Sequence, residues 1–430
     1  MFRGWRNRLS ALFVTLLLPF VASAQTDGTY SGYSPYSIYG IGQLHPGGTS
    51  WNRGMGGVGI AARNRRFINV NNPASVTARD SLSFMTDFGL MSKFSLFSEG
   101  GKQAVNTTVN IDNFAISFPM WNHTAMMVGI HPLSDVGYKI TSSYTDLYTG
   151  ENTFTSSGNG GTYQVYVAAA ATLWNRLSLG VQGNYVFGNI NKQATQQYSD
   201  ETYRSYSSGD SLQVNNVSVK FGLQYEQPLG VNYYLTLGAT YKLSTRMGGH
   251  HIHYLEEGSY YRQRKETSLS TSGLRFGDEL GVGLSFRRRD DWMIEVDYIR
   301  GDWSRSGFES VPGFSNVGDL PFASSVAQSI RFGAEWTPNR NDIRYFLKRC
   351  TYRLGAYYDQ SYYTVGGKHL NAAGVTLGLT VPVFRYYNGI SIGLDFGQRG
   401  LEGDQVKHRY IGIDLGFNLF DIWFQKPHYE

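Results

Sequence analysis

The sequence is poor in cysteine, in charge and in long apolar runs. Cys350 is its only cysteine, so no internal disulfide can form and the fold depends on hydrogen-bonded sheet and packing. Beyond the N-terminal region no apolar run reaches the roughly 18 residues of a membrane helix, which excludes a helical membrane bundle. Charged residues make up 17%, against about 25% in soluble domains. Tyr (31), Phe (25) and Gly (51) are abundant instead, which excludes a disordered chain and indicates an all-β protein.

The first 24 residues have the pattern of a secretory signal peptide. Arg3, Arg6 and Arg8 precede an apolar segment at residues 11–21, and small residues at 22–24 supply the cleavage site. The whole chain has 38 Lys and Arg against 33 Asp and Glu, so removal of these three arginines leaves it nearly neutral. We therefore expect an exported chain, and we do not expect nucleic acid as a partner.

Apolar residues alternate with small or polar ones along much of the chain after residue 80. In the C-terminal segment Ile411, Ile413, Leu415 and Phe417 project to one side, and Gly or Asp stands between them. The same alternation recurs at residues 217–225, 235–243, 280–286, 374–381 and 390–397. An alternation of period two predicts strands with one apolar face. Periodicity alone leaves a soluble β-sandwich open as the alternative.

The lengths and connections of these strands favour a membrane barrel. The alternating segments run about 10–14 residues, longer than the usual 5–6 of globular sheets and suited to a tilted membrane crossing. Short turns alternate with long polar loops, such as those at residues 142–161, 191–210 and 247–271. Aromatic residues beside the short turns suit an interfacial girdle. They are Trp121, Trp174, Tyr233, Tyr234, Trp292, Trp336, Tyr386 and Tyr387.

We therefore predict an all-β fold, a transmembrane antiparallel β-barrel of about 14 strands at residues 80–424, in the lipid of a Gram-negative outer membrane. One connection, at residues 337–349, is a longer basic turn compatible with a short helix. We expect residues 425–430 to form a periplasmic tail. The strands are predicted to begin near residues 81, 107, 124, 162, 177, 212, 233, 273, 292, 327, 351, 371, 389 and 409.

Residues 25–79 lack the alternation and are dense in Gly, Asn and Arg. Because a barrel of this width must be filled or leave a channel, we predict that this segment is a plug inside the lumen.

A glycine-rich run in this segment precedes an Asn-Pro-Ala element just ahead of the first strand. The motif residues are Arg53, Gly54, Gly56, Gly57, Gly59, Asn72, Pro73 and Ala74. With the strand layout, this order resembles the FadL-like family of outer-membrane proteins, and residues 34–42 and 421–424 resemble its Bacteroidetes branch. The resemblance implies passive uptake of hydrophobic small molecules through a barrel with an N-terminal hatch. The branch is also similar to PorV-like proteins, which implies an alternative, a non-transporting accessory subunit of an outer-membrane protein secretion or assembly complex.

Charged residues on the small-and-polar face are expected to point into the lumen, because Arg or Lys near the lipid midplane costs about 2–4 kcal/mol. We expect ion pairs between the plug arginines, Arg53 included, and the acidic residues of the wall to hold the plug. A hydrated lumen without such pairs is the alternative. The predicted luminal charge network consists of Arg63, Arg65, Arg66, Lys220, Glu295, Asp297, Arg331, Glu335, Arg353, Asp395 and Asp414.

The third predicted strand contains Gly129 and Pro132. Proline lacks the amide hydrogen of a ladder, and a nearby glycine permits a bend, so we predict that this crossing is locally unpaired. In the FadL-like family a kink in the third strand opens a side exit to the bilayer, and the resemblance implies a lateral opening here. The alternative is a proline near the outer rim, where strand pairing ends in any case.

No motif indicates catalysis or a cofactor. Gly54, Gly56 and Gly59 match a dinucleotide fingerprint, but no strand precedes them and no helix-forming run follows. His251 and His253 lie in a polar loop without cysteine or a dense carboxylate set, and no serine stands in a Gly-x-Ser-x-Gly elbow. We expect neither an enzyme nor a bound cofactor or metal.

Overall fold

The computed structural model describes residues 32–80, 82–200, 202–258, 263–314, 321–383, 388–401 and 407–422. The predicted signal peptide at residues 1–24, the girdle residues Tyr386 and Tyr387, and the predicted tail at residues 425–430 lie outside the described residues. In the part described, no helix is long and apolar enough to cross a membrane.

Most of the described chain is strand, as the alternation predicts. The strands, in chain order, are β1 (Gln43–Leu44), β2 (Ser83–Glu99), β3 (Lys102–Pro119), β4 (Thr124–Asp146), β5 (Gly150–Leu173), β6 (Leu177–Tyr198), β7 (Tyr206–Leu229), β8 (Tyr233–Lys242), β9 (Thr245–Arg246), β10 (Gly248–Glu257), β11 (Gln263–Leu269), β12 (Arg275–Phe276), β13 (Asp278–Arg288), β14 (Trp292–Asp302), β15 (Phe322–Ser324), β16 (Val326–Trp336), β17 (Thr351–Val365), β18 (Lys368–Pro382), β19 (Gly389–Leu401) and β20 (Lys407–Ile422).

Within the described residues, β2–β8, β13, β14 and β16–β20 form a closed antiparallel barrel of fourteen strands. Consecutive barrel strands pair with each other, and the pairing of β2 with β20, which places Ser83 opposite Ile422, closes the cylinder. On β13, Leu280, Val282 and Leu284 are about half exposed and face outward, whereas Ser285 is buried inside. The predicted all-β fold and the predicted barrel are therefore confirmed.

The strand ends show where sequence patterns were sufficient. Strands that start at the short turns begin near the predicted positions, as β4 does at Thr124 and β6 at Leu177. Several strands that start on the opposite side begin earlier, since β5 starts at Gly150 and β7 at Tyr206, whereas β13 starts later than predicted, at Asp278. The predicted loop at residues 142–161 is therefore mostly a hairpin. Outside the membrane, water solvates both faces of a hairpin, so its strands need no apolar alternation.

One side of the barrel extends well past the membrane. β4, β5, β6 and β7 contain 23, 24, 22 and 24 residues, at least twice the roughly 9–11 needed for a crossing. Their outer parts continue into β10 and β11, because β10 pairs with both β7 and β11. We take the end with the short turns as periplasmic and this extension as external.

The N-terminal segment, residues 32–80, runs through the interior of the barrel from its outer end to its periplasmic end. Near the outer end the Ser34 amide donates to the Gly137 carbonyl at 2.7 Å. Near the periplasmic end Arg79 Nη1 donates to Ser117 Oγ at 2.8 Å. The short helices of the described chain are the 3-10 helices Pro35–Ile38, Pro73–Thr77 and Phe308–Ser310 and the α-helices Ser50–Arg53 and Phe346–Arg349.

Candidate functional site

The candidate functional site is the interior of the barrel, where the N-terminal segment meets the wall. Two neighbouring carboxylates of β14 hold residues 59–62. Asp297 Oδ2 accepts from the amides of Gly59 and Ile60 at 2.8 and 3.0 Å. Glu295 Oε1 accepts from the amides of Ala61 and Ala62 at 2.7 and 2.9 Å. Residues two apart on a strand share a face, so the alternation of β14 itself brings both carboxylates to the segment.

Glycines on the wall allow the segment to approach the strands at backbone distance. At each of these positions an added Cβ would meet an atom of the segment, and no room for a side chain remains. The inward-facing glycines that contact the segment in this way are Gly180, Gly222, Gly238, Gly281, Gly283, Gly333, Gly355, Gly378 and Gly416. The small-and-polar face of the strands is therefore the surface against which the segment packs.

The glycine-rich run of the segment lies against β16, β17 and β18. Gly54 lies close to Gly378, and Gly57 lies beside the Arg331 guanidinium. Gly56 has φ +70°, and a Cβ there would stand 2.7 Å from the Phe332 carbonyl oxygen. The Gly56 amide donates to Thr376 Oγ1 at 2.7 Å. This geometry requires glycine at position 56 and gives the run a packing role.

The Asn-Pro-Ala element forms a capped turn against β7. Asn72 Oδ1 accepts from the Ala74 amide at 3.0 Å and so caps the 3-10 helix Pro73–Thr77. Asn72 Nδ2 donates to the Ile60 carbonyl at 2.7 Å and to the Leu223 carbonyl at 3.1 Å. Asn72 therefore joins two parts of the segment to the barrel wall.

Each of the four predicted plug arginines lies near a carboxylate. Arg53 forms a buried ion pair with Asp112 of β3. Arg63 Nε lies 3.6 Å from Glu226 Oε2, and its Nη1 donates to Gln224 Oε1 at 3.0 Å. Arg65 lies near Asp80 and Arg66 near Asp290, at 3.6 and 3.4 Å, in more exposed positions.

The remaining charges of the predicted network pair mostly within the wall. Glu335 Oε2 accepts from Arg353 Nε at 2.8 Å and from Trp51 Nε1 at 2.7 Å, so this pair also holds the segment. Arg331 pairs with Asp359 at 3.0 Å and Lys220 with Glu279 at 3.5 Å. The Tyr357 hydroxyl donates to Asp395 Oδ1 at 2.9 Å. Asp414 is buried and lines a small luminal cavity with Arg53 and Asp395.

The sequence reasoning missed Asp112, which lies on the bulged side of β3. Gly89 pairs with Asn113 and Leu90 with Ile111, so Asp112 has no partner on β2 and turns inward. The signal for this bulge is in the sequence, because the outward apolar residues Ile111 and Phe114 are three positions apart instead of two.

Pairing between β3 and β4 ends abruptly. The last pair is Phe114 with Ile130, although β3 continues to Lys102 and β4 to Asp146. Gly129 therefore lies in the penultimate paired row and Pro132 just beyond the end of the ladder. Beyond that point β4 keeps its pairing with β5 through a register shift between Pro132 and Ser134.

The N-terminal segment occupies the place next to β4 that β3 leaves. Leu44 of β1 pairs with Ser134, and the His45 amide donates to the Leu133 carbonyl at 2.9 Å. His45 Nε2 lies 2.6 Å from Asp135 Oδ2 in a partly buried pair. A strand edge in a bilayer must be covered, and β1 provides part of that cover from inside the barrel.

The outer half of the lumen is filled by an apolar core. Residues from the N-terminal segment, from residues 303–314 and from β4, β6, β7, β17 and β18 contribute to it. The Tyr363 hydroxyl donates to the Tyr36 carbonyl at 2.7 Å, and the Tyr362 hydroxyl donates to the Gly42 carbonyl at 2.9 Å. Lys192 Nζ donates to the Ile38 carbonyl at 2.6 Å. Below this core lies a cavity of about 250 Å³ whose lining includes polar groups of Lys220, Lys242, Glu279 and Gln164.

These features define the class of the protein: a closed fourteen-stranded β-barrel of a Gram-negative outer membrane, in contact with its lipid. The fold is similar to that of the Pseudomonas putida toluene transporter TodX, with a TM-score of 0.60 and 15% identity over 89% of this chain and 99% of that one. The Ralstonia pickettii toluene transporter TbuX has a TM-score of 0.58 and 16% identity over 87% and 98%. A Pseudomonas aeruginosa FadL homologue has a TM-score of 0.55 and 11% identity over 90% and 100%.

The chain belongs to the BamG family, whose model matches residues 7–430. No curated protein matches it. The resemblance to FadL-like proteins is confirmed at the level of the fold, and the similar structures are transport proteins and not enzymes. The assignment to the Bacteroidetes branch stays a prediction.

Proposed function

We propose that this protein is an accessory subunit of an outer-membrane protein secretion or assembly complex, with residues 25–79 as a fixed plug and residues 80–424 as the barrel. The observation that carries the proposal is the apolar core in the outer half of the lumen. A passive pore needs a continuous route through the lumen. Hydrogen bonds from Tyr362, Tyr363 and Lys192 hold the N-terminal segment in the outer half of the lumen, where such a route would run. With the interior filled, the surfaces available for function are the external strands and the periplasmic turns.

Two further facts support this role. Membership of the BamG family is compatible with a role as a subunit of a protein complex. The cavity below the apolar core has the charged groups of Lys220, Lys242 and Glu279 in its lining beside apolar side chains, so a hydrocarbon there would lie against buried charge.

The test is depletion of the protein in its own host, followed by quantitative proteomics of the outer membrane and by measurement of toluene entry into the cells. The accessory role requires the abundance of other outer-membrane proteins to fall while toluene entry stays unchanged. An unchanged outer-membrane proteome with slower toluene entry would reject it. Re-expression of the wild-type chain is the control for indirect effects.

A second candidate function is the passage of hydrophobic small molecules between β3 and β4, with Gly129 and Pro132 at the lateral opening. The end of the ladder at Phe114 and Ile130 favours it, and so does the fold shared with the toluene transporters. In this role β1 covers the opening and must move away from β4 when a molecule passes.

A disulfide tests this second role. Leu44→Cys with Ser134→Cys, in a Cys350→Ala background, joins the register partners of β1 and β4. Passage at this opening requires that oxidation stop toluene entry into vesicles and that reduction restore it. The matched control is Gln328→Cys with Gln360→Cys, register partners of β16 and β17 away from the opening. Equal entry in the oxidised and reduced states of the Leu44 pair would reject the lateral route.

A further inference from the structure

The longest periplasmic connection whose residues are all described, residues 337–350 between β16 and β17, exposes apolar side chains beside cations. Ile343 is 95% exposed and Leu347 68% exposed. Arg344 and Lys348 stand next to them in the chain. Tyr345 and Phe346 between them are also about half exposed, so the turn presents a contiguous apolar surface, which marks an interaction site.

Hydrogen bonds hold this turn in one conformation. Asp342 Oδ1 accepts from the amides of Arg344 and Tyr345 at 2.9 and 2.6 Å. The Asn339 amide donates to the Lys348 carbonyl at 2.9 Å. Ile343 and Leu347 are thus presented by an ordered loop, and their exposure is a property of its backbone geometry.

The turn is tied to the lipid-facing side of the barrel. Trp336 and Tyr352 are register partners at the periplasmic ends of β16 and β17, with ring centroids 6.1 Å apart. Tyr352 is two positions before the half-exposed Leu354 on β17, so it faces outward, and its register partner Trp336 lies on the same outer face. The Tyr352 hydroxyl donates to the Leu347 carbonyl at 3.0 Å. Leu347 therefore lies at the level of the aromatic girdle, where the headgroups of the periplasmic leaflet are found.

The charge of the turn is strongly positive. Its four basic residues face a single acidic residue within the turn, Asp342. Arg340 is balanced by Asp290 at 3.1 Å, and Lys348 lies 3.7 Å from Asp342. The Arg344 and Lys348 side chains lie over the Tyr345 ring, at 5.3 and 4.7 Å from its centroid. Cations and apolar side chains on one surface are typical of segments that bind anionic lipid.

We propose that residues 337–350 bind anionic phospholipid of the periplasmic leaflet. Ile343 and Leu347 enter the interface, and Arg344, Lys348 and Arg349 contact lipid phosphates. The hydrogen bond from the lipid-facing Tyr352 to Leu347 places the turn beside the membrane, which favours lipid over a periplasmic protein as the bound partner. The inference goes beyond the accessory role and does not depend on it.

The test uses the full mature chain with Cys350→Ala and Ile343→Cys, labelled with an environment-sensitive dye at position 343. The labelled barrel is reconstituted in vesicles of phosphatidylcholine and in equimolar phosphatidylcholine and phosphatidylglycerol. We expect a blue shift that is larger with phosphatidylglycerol, and stronger quenching by brominated phosphatidylglycerol than by brominated phosphatidylcholine. Arg344→Gln with Lys348→Gln lowers the preference for phosphatidylglycerol at least about fivefold.

The matched control is Val231→Cys, a 79% exposed apolar position in the uncharged turn between β7 and β8. It should report the same environment in both vesicles. Faster migration of unheated than of heated samples on gels verifies that each variant is folded. A dye at position 343 that responds equally to the two lipids overturns the proposal. So does a dye that stays fully accessible to aqueous iodide in both vesicles, and that result would point to an acidic periplasmic protein instead.

Discussion

Glu295 and Asp297, two residues apart on β14, together accept hydrogen bonds from four consecutive amides of the N-terminal segment, residues 59–62. Successive amides that point the same way form a concave site for negative charge. Arginine side chains are the partners that the sequence predicts for these carboxylates, but backbone amides bind them instead. This arrangement attaches the middle of the segment to the wall without a basic side chain.

The attachment is sensitive to loss of one carboxylate. Asp297→Ala leaves the amides of Gly59 and Ile60 without acceptors, so we expect the free energy of unfolding in vesicles to fall by about 2–4 kcal/mol. Hydrogen exchange at residues 59 and 60 should accelerate. Asp395→Asn is the control, because Asp395 accepts from Tyr357 and makes no hydrogen bond to the segment. Unchanged exchange at both amides in Asp297→Ala would contradict this role.

Gly56 tests the close approach of the segment to the wall. Gly56→Ala places a Cβ 2.7 Å from the Phe332 carbonyl oxygen and 2.9 Å from the Ala356 carbonyl oxygen at φ +70°. We expect the free energy of unfolding to fall by clearly more than the roughly 1–2 kcal/mol that left-handed backbone strain alone would cost. The control is Gly100→Ala, at φ +54° with open space around it. Urea unfolding of both variants in vesicles makes the comparison, and equal losses would show that packing at Gly56 is loose.

The Arg53 and Asp112 pair connects the segment to the bulge of β3. Arg53→Ala leaves the buried Asp112 carboxylate without its partner, and we expect the free energy of unfolding to fall by about 3–5 kcal/mol. Arg53→Met with Asp112→Asn removes both charges and should recover part of that loss. Arg65→Ala breaks the more exposed pair with Asp80 and should cost no more than about 1 kcal/mol. A double variant as unstable as Arg53→Ala would argue against an ion pair.

Acid should loosen the turn at residues 337–350. The Tyr345 amide, with help from the Arg344 amide and Lys348, holds the pKa of Asp342 below its ordinary value. An aspartate whose pKa is lower in the folded than in the unfolded form stabilises the folded form. This stabilisation is complete above about pH 4 and is lost as the pH falls through the pKa of the folded form.

Amide exchange of Arg344 and Tyr345, corrected for the intrinsic rate, should therefore be slow near neutral pH and become faster below about pH 4. Asp342→Asn should abolish that dependence. Identical pH profiles for the two proteins would show that Asp342 does not order the turn.

Much of the barrel could be read from neighbouring residues. The alternation of Leu280, Val282 and Leu284 with small residues indicates a strand between lipid and lumen, and the same parity places Glu295 and Asp297 inside. The partners of these carboxylates could not be read in this way. The Ala61 amide reaches Glu295 across 234 positions of the chain, and alternation carries no information about a contact so distant.

The end of the β3 and β4 ladder illustrates both cases. Pro132 pointed to weak pairing in this strand, and the ladder stops at Ile130 close by. Nothing in the local pattern indicated that Leu44 would pair with Ser134, or that His45 would lie against Asp135. A two-residue strand has too few positions to show a period, and its partner is chosen by the space that β3 leaves.

The amino-acid sequence by itself determined that this chain crosses an outer membrane as strands, and which face of each strand meets lipid. Successive residues of a strand face lipid and lumen in turn, so the requirement for apolar side chains in lipid appears as a local pattern of period two. The tertiary structure alone decided which wall residues contact residues 32–80 and which charges meet there. Those contacts arise only once the cylinder has closed and brings distant residues within hydrogen-bond distance.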